Sequence, residues 1–98
     1  MTFNWDDQKN RLLKRTRHIG FEEVVVAIQE ERVVDIVEHP GEDRYPNQRI
    51  SLIEHRNYIY AVPFVRNTET GEVFLKTIFP SRRYTRLHLH AKGSANDE

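Results

Sequence analysis

Cysteine is absent from this 98-residue chain, and its absence excludes disulfides, thiolate metal sites and a cysteine nucleophile. That composition fits a reducing compartment. Long apolar runs are also missing. The longest, Val24 to Ile28, is far too short to span a bilayer, which takes about 20 residues. The N-terminus lacks the apolar stretch of a signal peptide, so the expected location is the cytoplasm. Glycine occurs four times and never as a phosphate-binding run; Gly20 and Gly41 read as punctuation. No HExxH or comparable metal-ligand spacing is present, and no nucleophile elbow. His18, His39 and His55 are scattered, and His88 and His90 read as tail residues rather than ligands, so no metal and no cofactor is expected. A net charge of either sign is lacking too. Fifteen basic residues meet fifteen acidic ones, and the total says nothing about a partner.

What is there suits one small globular domain, expected over residues 1–90, with 91–98 as a disordered tail. The charges are unevenly spread. Lys9, Arg11, Lys14, Arg15 and Arg17 form a basic segment without an acid. Acids dominate from Glu22 to Asp43, and basic residues return at Lys76, Arg82, Arg83 and Arg86. Two basic segments far apart in sequence form one polyanion-binding patch if the fold joins them, and two ordinary solvated faces if it does not.

Phe3 and Trp5 suggest a short edge strand. Asp6 or Asp7 then caps a helix running to about Thr16. Leu12, Leu13 and Thr16 share one face of it, and Lys9 lies in line with them, at the rim of the core. His18, Ile19 and Gly20 break that helix. A second follows from Phe21 to about Glu30, with Phe21, Val24, Val25 and Ile28 at core spacing. Val26 falls on its other side, a face open to a partner. Strands are expected over Arg32 to Glu38, Gln48 to Glu54 and Tyr58 to Val65, with a bulge or a locally unpaired position at Pro63. A turn at Arg56 and Asn57 joins two of them. A last strand, Phe74 to Phe79, should put Phe74, Lys76 and Ile78 on one face and Leu75, Thr77 and Phe79 on the other. Pro80 ends its pairing, and Ser81 caps a short helix carrying Arg82, Arg83 and Arg86. Short turns make neighbouring strands antiparallel. The expected fold is α+β: a strand, two helices, then an antiparallel β-meander with a short C-terminal helix.

Cationic and polar groups suited to RNA remain: Lys9, His39, Arg44, Tyr45, Lys76, Arg82 and Arg83. RNA cleavage needs no metal, because the ribose 2′-hydroxyl supplies the nucleophile. The protein adds a base, an acid and cations around the phosphate. Each residue also has an ordinary reading. Lys9 snorkels, His39 ends a strand before Pro40, Arg44 pairs with Asp43 or Glu42, and Tyr45 packs on Pro46.

Phe3, Trp5, Asp6, Lys9 and Asn10, followed by Phe21-Glu22-Glu23, resemble the N-terminal signature of BrnT-type toxins. His39 with Gly41-Glu42-Asp43-Arg44-Tyr45 is similar to that family's histidine loop, and Ser81-Arg82-Arg83-Tyr84-Thr85 to its C-terminal Ala-Arg-Lys-Ala-Thr. The chain departs from the pattern at Thr16-Arg17-His18-Ile19-Gly20, where the family has Lys-His-Gly, and Tyr45-Pro46-Asn47-Gln48 and Val62-Pro63-Phe64-Val65 fit a divergent branch of it. The resemblance implies a RelE-like fold, endoribonuclease activity and neutralisation by a small antitoxin of ribbon-helix-helix type. It also implies site roles for Lys9, His39, Arg44, Arg82 and Arg83. The expected division of labour gives the scissile phosphate to Arg82, Arg83 and Lys76, and acid or base work to His39. RNA contacts fall to Lys9, Arg44, Tyr45 and Arg86. The alternative is a non-catalytic module of the same fold that binds RNA or a protein partner.

Overall fold

Asp6 opens the helical layer: its side chain accepts from the backbone N–H groups of Gln8 at 2.8 Å and Lys9 at 3.1 Å, satisfying donors that a helix start leaves free. In the computed structural model, which describes residues 2–40 and 47–90 and only the backbone of His90, this cap follows a short strand, β1 (Phe3–Asn4), and starts helix α1 (Asp7–Arg17). Arg44, Tyr45 and the expected tail lie outside the described residues. Helix α1 ends at His18, in the left-handed region with φ 58°, a place where glycine is the usual occupant. The backbone N–H of Gly20 then donates to Glu23 Oε1 at 2.8 Å, and α2 (Phe21–Gln29) begins.

The face of α1 differs from expectation. Leu13 is buried, but Leu12 is 42 % exposed and Thr16 is exposed as well. The other buried residue of the helix is Asn10. Its side-chain oxygen accepts from the backbone N–H of Phe21 at 2.7 Å, and its amide donates to Glu22 at 3.0 Å. The unpaired amides at the start of α2 need an acceptor, and this requirement turns a polar residue inward. On α2, Phe21, Val24 and Ala27 are buried while Val26 is 43 % exposed.

The sheet has the order β1-β5-β4-β3-β2, with β2 Val33–Glu38, β3 Gln48–His55, β4 Tyr58–Arg66 and β5 Val73–Leu75. Strands β2 to β5 are antiparallel, and β1 lies parallel to β5. Arg56 and Asn57, both with positive φ (53° and 62°), close the β3–β4 hairpin. That is the geometry of a two-residue turn matched to strand twist. Of the two alternatives at Pro63, the structure shows a lapse in pairing, on the β5 side, and no bulge against β3. Pro63 stands opposite Ile50 in an unbroken β3–β4 register, and the only shift in the neighbouring ladder lies in β2, between Val33 and Asp35.

The last strand is interrupted instead. Pairing stops after Leu75 and resumes as β6 (Phe79–Pro80), in which Phe79 faces Ala61 and Pro80 faces Tyr60. The backbone N–H of Lys76 donates to the carbonyl of Pro63 at 2.8 Å. A strand residue's N and O point the same way, so the donor that Pro63 lacks would have faced this gap. The interruption shifts the alternation. Leu75 and Ile78 both lie in the core, and Phe79 is 37 % exposed. Pro80 is the last paired residue.

Both sheet faces are covered. On the first, Leu13, Ile19, Phe21, Val24 and Ala27 pack on Ile53, Val62, Val73, Leu75 and Ile78. On the second, Ile50, Leu52, Ile59 and Ala61 meet Tyr84 and Leu89. These come from helix α3 (Arg82–Thr85) and the π-helical turn that continues it, Arg86–His90. Each large apolar side chain so buried contributes about 1.5–3 kcal/mol. No helix among the described residues is long and apolar enough to cross a membrane.

Candidate nucleic-acid interface

The basic segment near the C-terminus is held by a short chain of hydrogen bonds. The backbone N–H of Ser81 donates to the carbonyl of Ile59 at 2.9 Å. Ser81 Oγ accepts from the N–H of Tyr84 at 3.1 Å and caps α3. Thr85, 1 % exposed, accepts from the N–H of Ile59 through its hydroxyl at 2.8 Å. Helix α3 is thereby fixed to the start of β4 at both of its ends. With Tyr84 turned to the second core and Thr85 buried, Arg82, Arg83 and Arg86 are left exposed.

Lys76 shares this face. Phe74 stands opposite Val65 in the ladder, and Val65 alternates with Ala61 and Ile59 of the second core. The Lys76 ammonium lies 5.4 Å from the Phe74 ring centroid, and the Arg83 guanidinium 5.6 Å from that of Tyr84. Both distances suit cation–π contact. Among the described residues no carboxylate pairs with Lys76, Arg82, Arg83 or Arg86. Four cations therefore lie on one side of a chain whose net charge is zero, in two places: Lys76 with Phe74 at the level of Pro63, and the three arginines with Tyr84 on the helix tied to Ile59, about 14 Å of strand away. Exposed guanidinium and ammonium groups so placed suit phosphate oxygens.

Two expected members stand apart. Lys9 is half-buried on α1, which packs on the first face, so the sheet separates its helix from α3. His39 follows β2, at the far side of β3 and β4 from β5. By register it lies near the level of Val65, whereas α3 is tied to Ile59. That is about 20 Å of strand at about 3.4 Å per residue. A residue outside the expected set links the two basic segments instead: Arg17, whose guanidinium donates to the carbonyl of Ile78 in the strand interruption. Sequence reading saw Arg17 only as part of a charge run. The signal for its role is the exposed carbonyl that an interrupted strand must leave, and this appears only once the ladder is known.

One further histidine belongs to this helix. His88 stacks on Tyr84 with centroids 6.1 Å apart, and its Nε2 is buried without a hydrogen-bond partner. Among the described residues no three metal-ligating side chains come together. Neither a family model, nor a curated protein, nor a solved structure matches this chain.

Proposed function

We propose that the chain is an RNA-directed toxin of the BrnT type, acting in the cytoplasm and binding RNA through the face of Lys76, Arg82, Arg83 and Arg86. The observation that carries this reading is the set of four cations on one face with no acidic partner among the described residues, Lys76 beside Phe74 and Arg83 beside Tyr84. Cleavage on this reading is metal-independent. A base removes the proton from the 2′-hydroxyl as that oxygen attacks phosphorus, and an acid protonates the departing 5′-oxygen, leaving a 2′,3′-cyclic phosphate. Lys76, Arg82 and Arg83 neutralise the charge that builds on the phosphate oxygens, and His39 handles a proton. A ribbon-helix-helix antitoxin is the proposed partner.

The second reading is RNA binding without cleavage. The distance in register between His39 and α3 favours it, because it parts the histidine expected to handle a proton from the arginines expected to hold the phosphate. Incubating the protein with total RNA, with and without a chelator, separates the two. Chelator-resistant products that vanish in His39→Ala support the nuclease. Salt-sensitive RNA retention without products supports the binding module. If Arg82→Ala with Arg83→Ala alters neither RNA retention nor growth inhibition, both readings fail.

A further inference from the structure

On the first face of the sheet, past the ground that α1 and α2 cover, lies a groove of about 560 Å³. Among the described residues, none of those assigned to RNA lines it. Its walls are apolar, built from Phe3, Val33, Ile36, Phe64, Val73 and Leu75, and Ser51 sets a hydroxyl in the floor. The charge sits at one end. Arg49 stands opposite Phe64, and Arg66 lies two residues further along the same strand as Phe64. They are thus diagonal neighbours on one face, with backbones about 7–8 Å apart. Both line the groove, and neither has an ion pair or side-chain hydrogen bond among the described residues. Glu38, across from Arg49 in the β2–β3 register, also lines the groove, leaving this end with one net positive charge, and forms no ion pair with Arg49.

The backbone in the middle of the groove is spent. Strands β3 and β4 are paired on both sides, so an extended peptide laid across them finds no free N–H or C=O. An occupant must gain its affinity from apolar contact along its length and from one anionic group at its end. The volume lies in the usual range for small-molecule sites, and two guanidinium groups on one face match a carboxylate.

We propose that this groove binds a small amphipathic carboxylate, its apolar chain over Phe64 and Leu75 and its head group between Arg49 and Arg66. The site is separate from the RNA face and stands or falls independently of it.

The test is an amide NMR titration of the whole protein with dodecanoate and, in parallel, with dodecyltrimethylammonium, which has the same chain and the opposite charge. The expected result is dodecanoate-dependent shifts centred on Arg49, Ser51, Phe64 and Arg66. The cationic amphiphile should bind at least about tenfold more weakly. Arg49→Gln with Arg66→Gln should abolish the preference while leaving the melting temperature unchanged, since both side chains are exposed. Ile36→Asp, at a rim position 51 % exposed, should weaken dodecanoate binding without unfolding the protein. Equal affinity for both amphiphiles, or shifts centred elsewhere, would overturn the proposal. So would a spectrum unmoved by dodecanoate but dependent on protein concentration, which would make the groove a contact between copies of the chain.

Discussion

Asn10 holds two helices together with one amide. Its oxygen serves the first free N–H of α2 and its nitrogen serves Glu22, which Lys14 also reaches at 3.1 Å. Replacing Asn10 with Ala strands the buried N–H of Phe21, and unfolding by denaturant should show a loss of about 1–3 kcal/mol. The same contacts set the protonation of Glu22. The Asn10 amide is the main cause that holds its carboxyl below the ordinary 4.5, with Lys14 adding to the effect and burial opposing it. A carboxyl with a depressed folded pKa stabilises the fold above its unfolded pKa. That contribution is lost as the pH falls through the folded value. Melting temperatures measured from neutral pH downward should therefore decline below about 4.5 less steeply in Glu22→Gln than in the wild type. Gly20 belongs to this junction as well, since a Cβ there would lie 2.5 Å from Lys14 Cε and 3.0 Å from Asn10 Oδ1.

At the level of elements, three left-handed residues other than Gly and Asn, His18, Glu31 and Arg56, mark where local chemistry is not at its optimum, and two of them bound a helix and a hairpin. His18 ends α1 with φ 58° and Arg56 opens the hairpin turn with φ 53°, both conformations that glycine adopts without strain. His18→Gly and Arg56→Gly should each raise stability by about 0.5–1 kcal/mol, read as a higher denaturation midpoint at unchanged slope. The elements themselves were legible because each is bounded by residues with one local meaning. Asp6 and Ser81 cap, Gly20 starts α2, and Arg56-Asn57 turns. The interruption between β5 and β6 was hidden, since Phe74 to Phe79 alternates well as an isolated string. Its cause, a proline that cannot donate, sits on the neighbouring strand, more than ten residues away, and alternation within one strand carries no trace of it. The inward turn of Asn10 was hidden for a similar reason, because the demand comes from another helix.

For the whole molecule, a net charge of zero conceals a strong separation. The pattern of the sequence grouped Lys76, Arg82, Arg83 and Arg86, and the fold keeps them on one face. It also offered Lys9 to the same group, and only the burial of both sheet faces assigns α1 and α3 to opposite sides. Fluorescence anisotropy with single-stranded RNA across a salt series should resolve this. Arg83→Ala should lower the slope of log affinity against log salt by about 0.7, the value for one lost phosphate contact, and Lys9→Ala should leave it unchanged. A slope that falls equally in both would return Lys9 to the RNA face.

The sheet draws its first strand from residues 3–4, which pair with 73–74, and closes its second face with Tyr84 and Leu89. During synthesis, a nascent chain released only as far as Arg66 has no partner for β1 and nothing to lay over Ile50, Leu52, Ile59 and Ala61. Neither layer is sealed until nearly all of the described chain has left the ribosome. The arginines of α3 emerge only after every strand of the sheet, so the proposed RNA face is completed only when the fold that carries it can close.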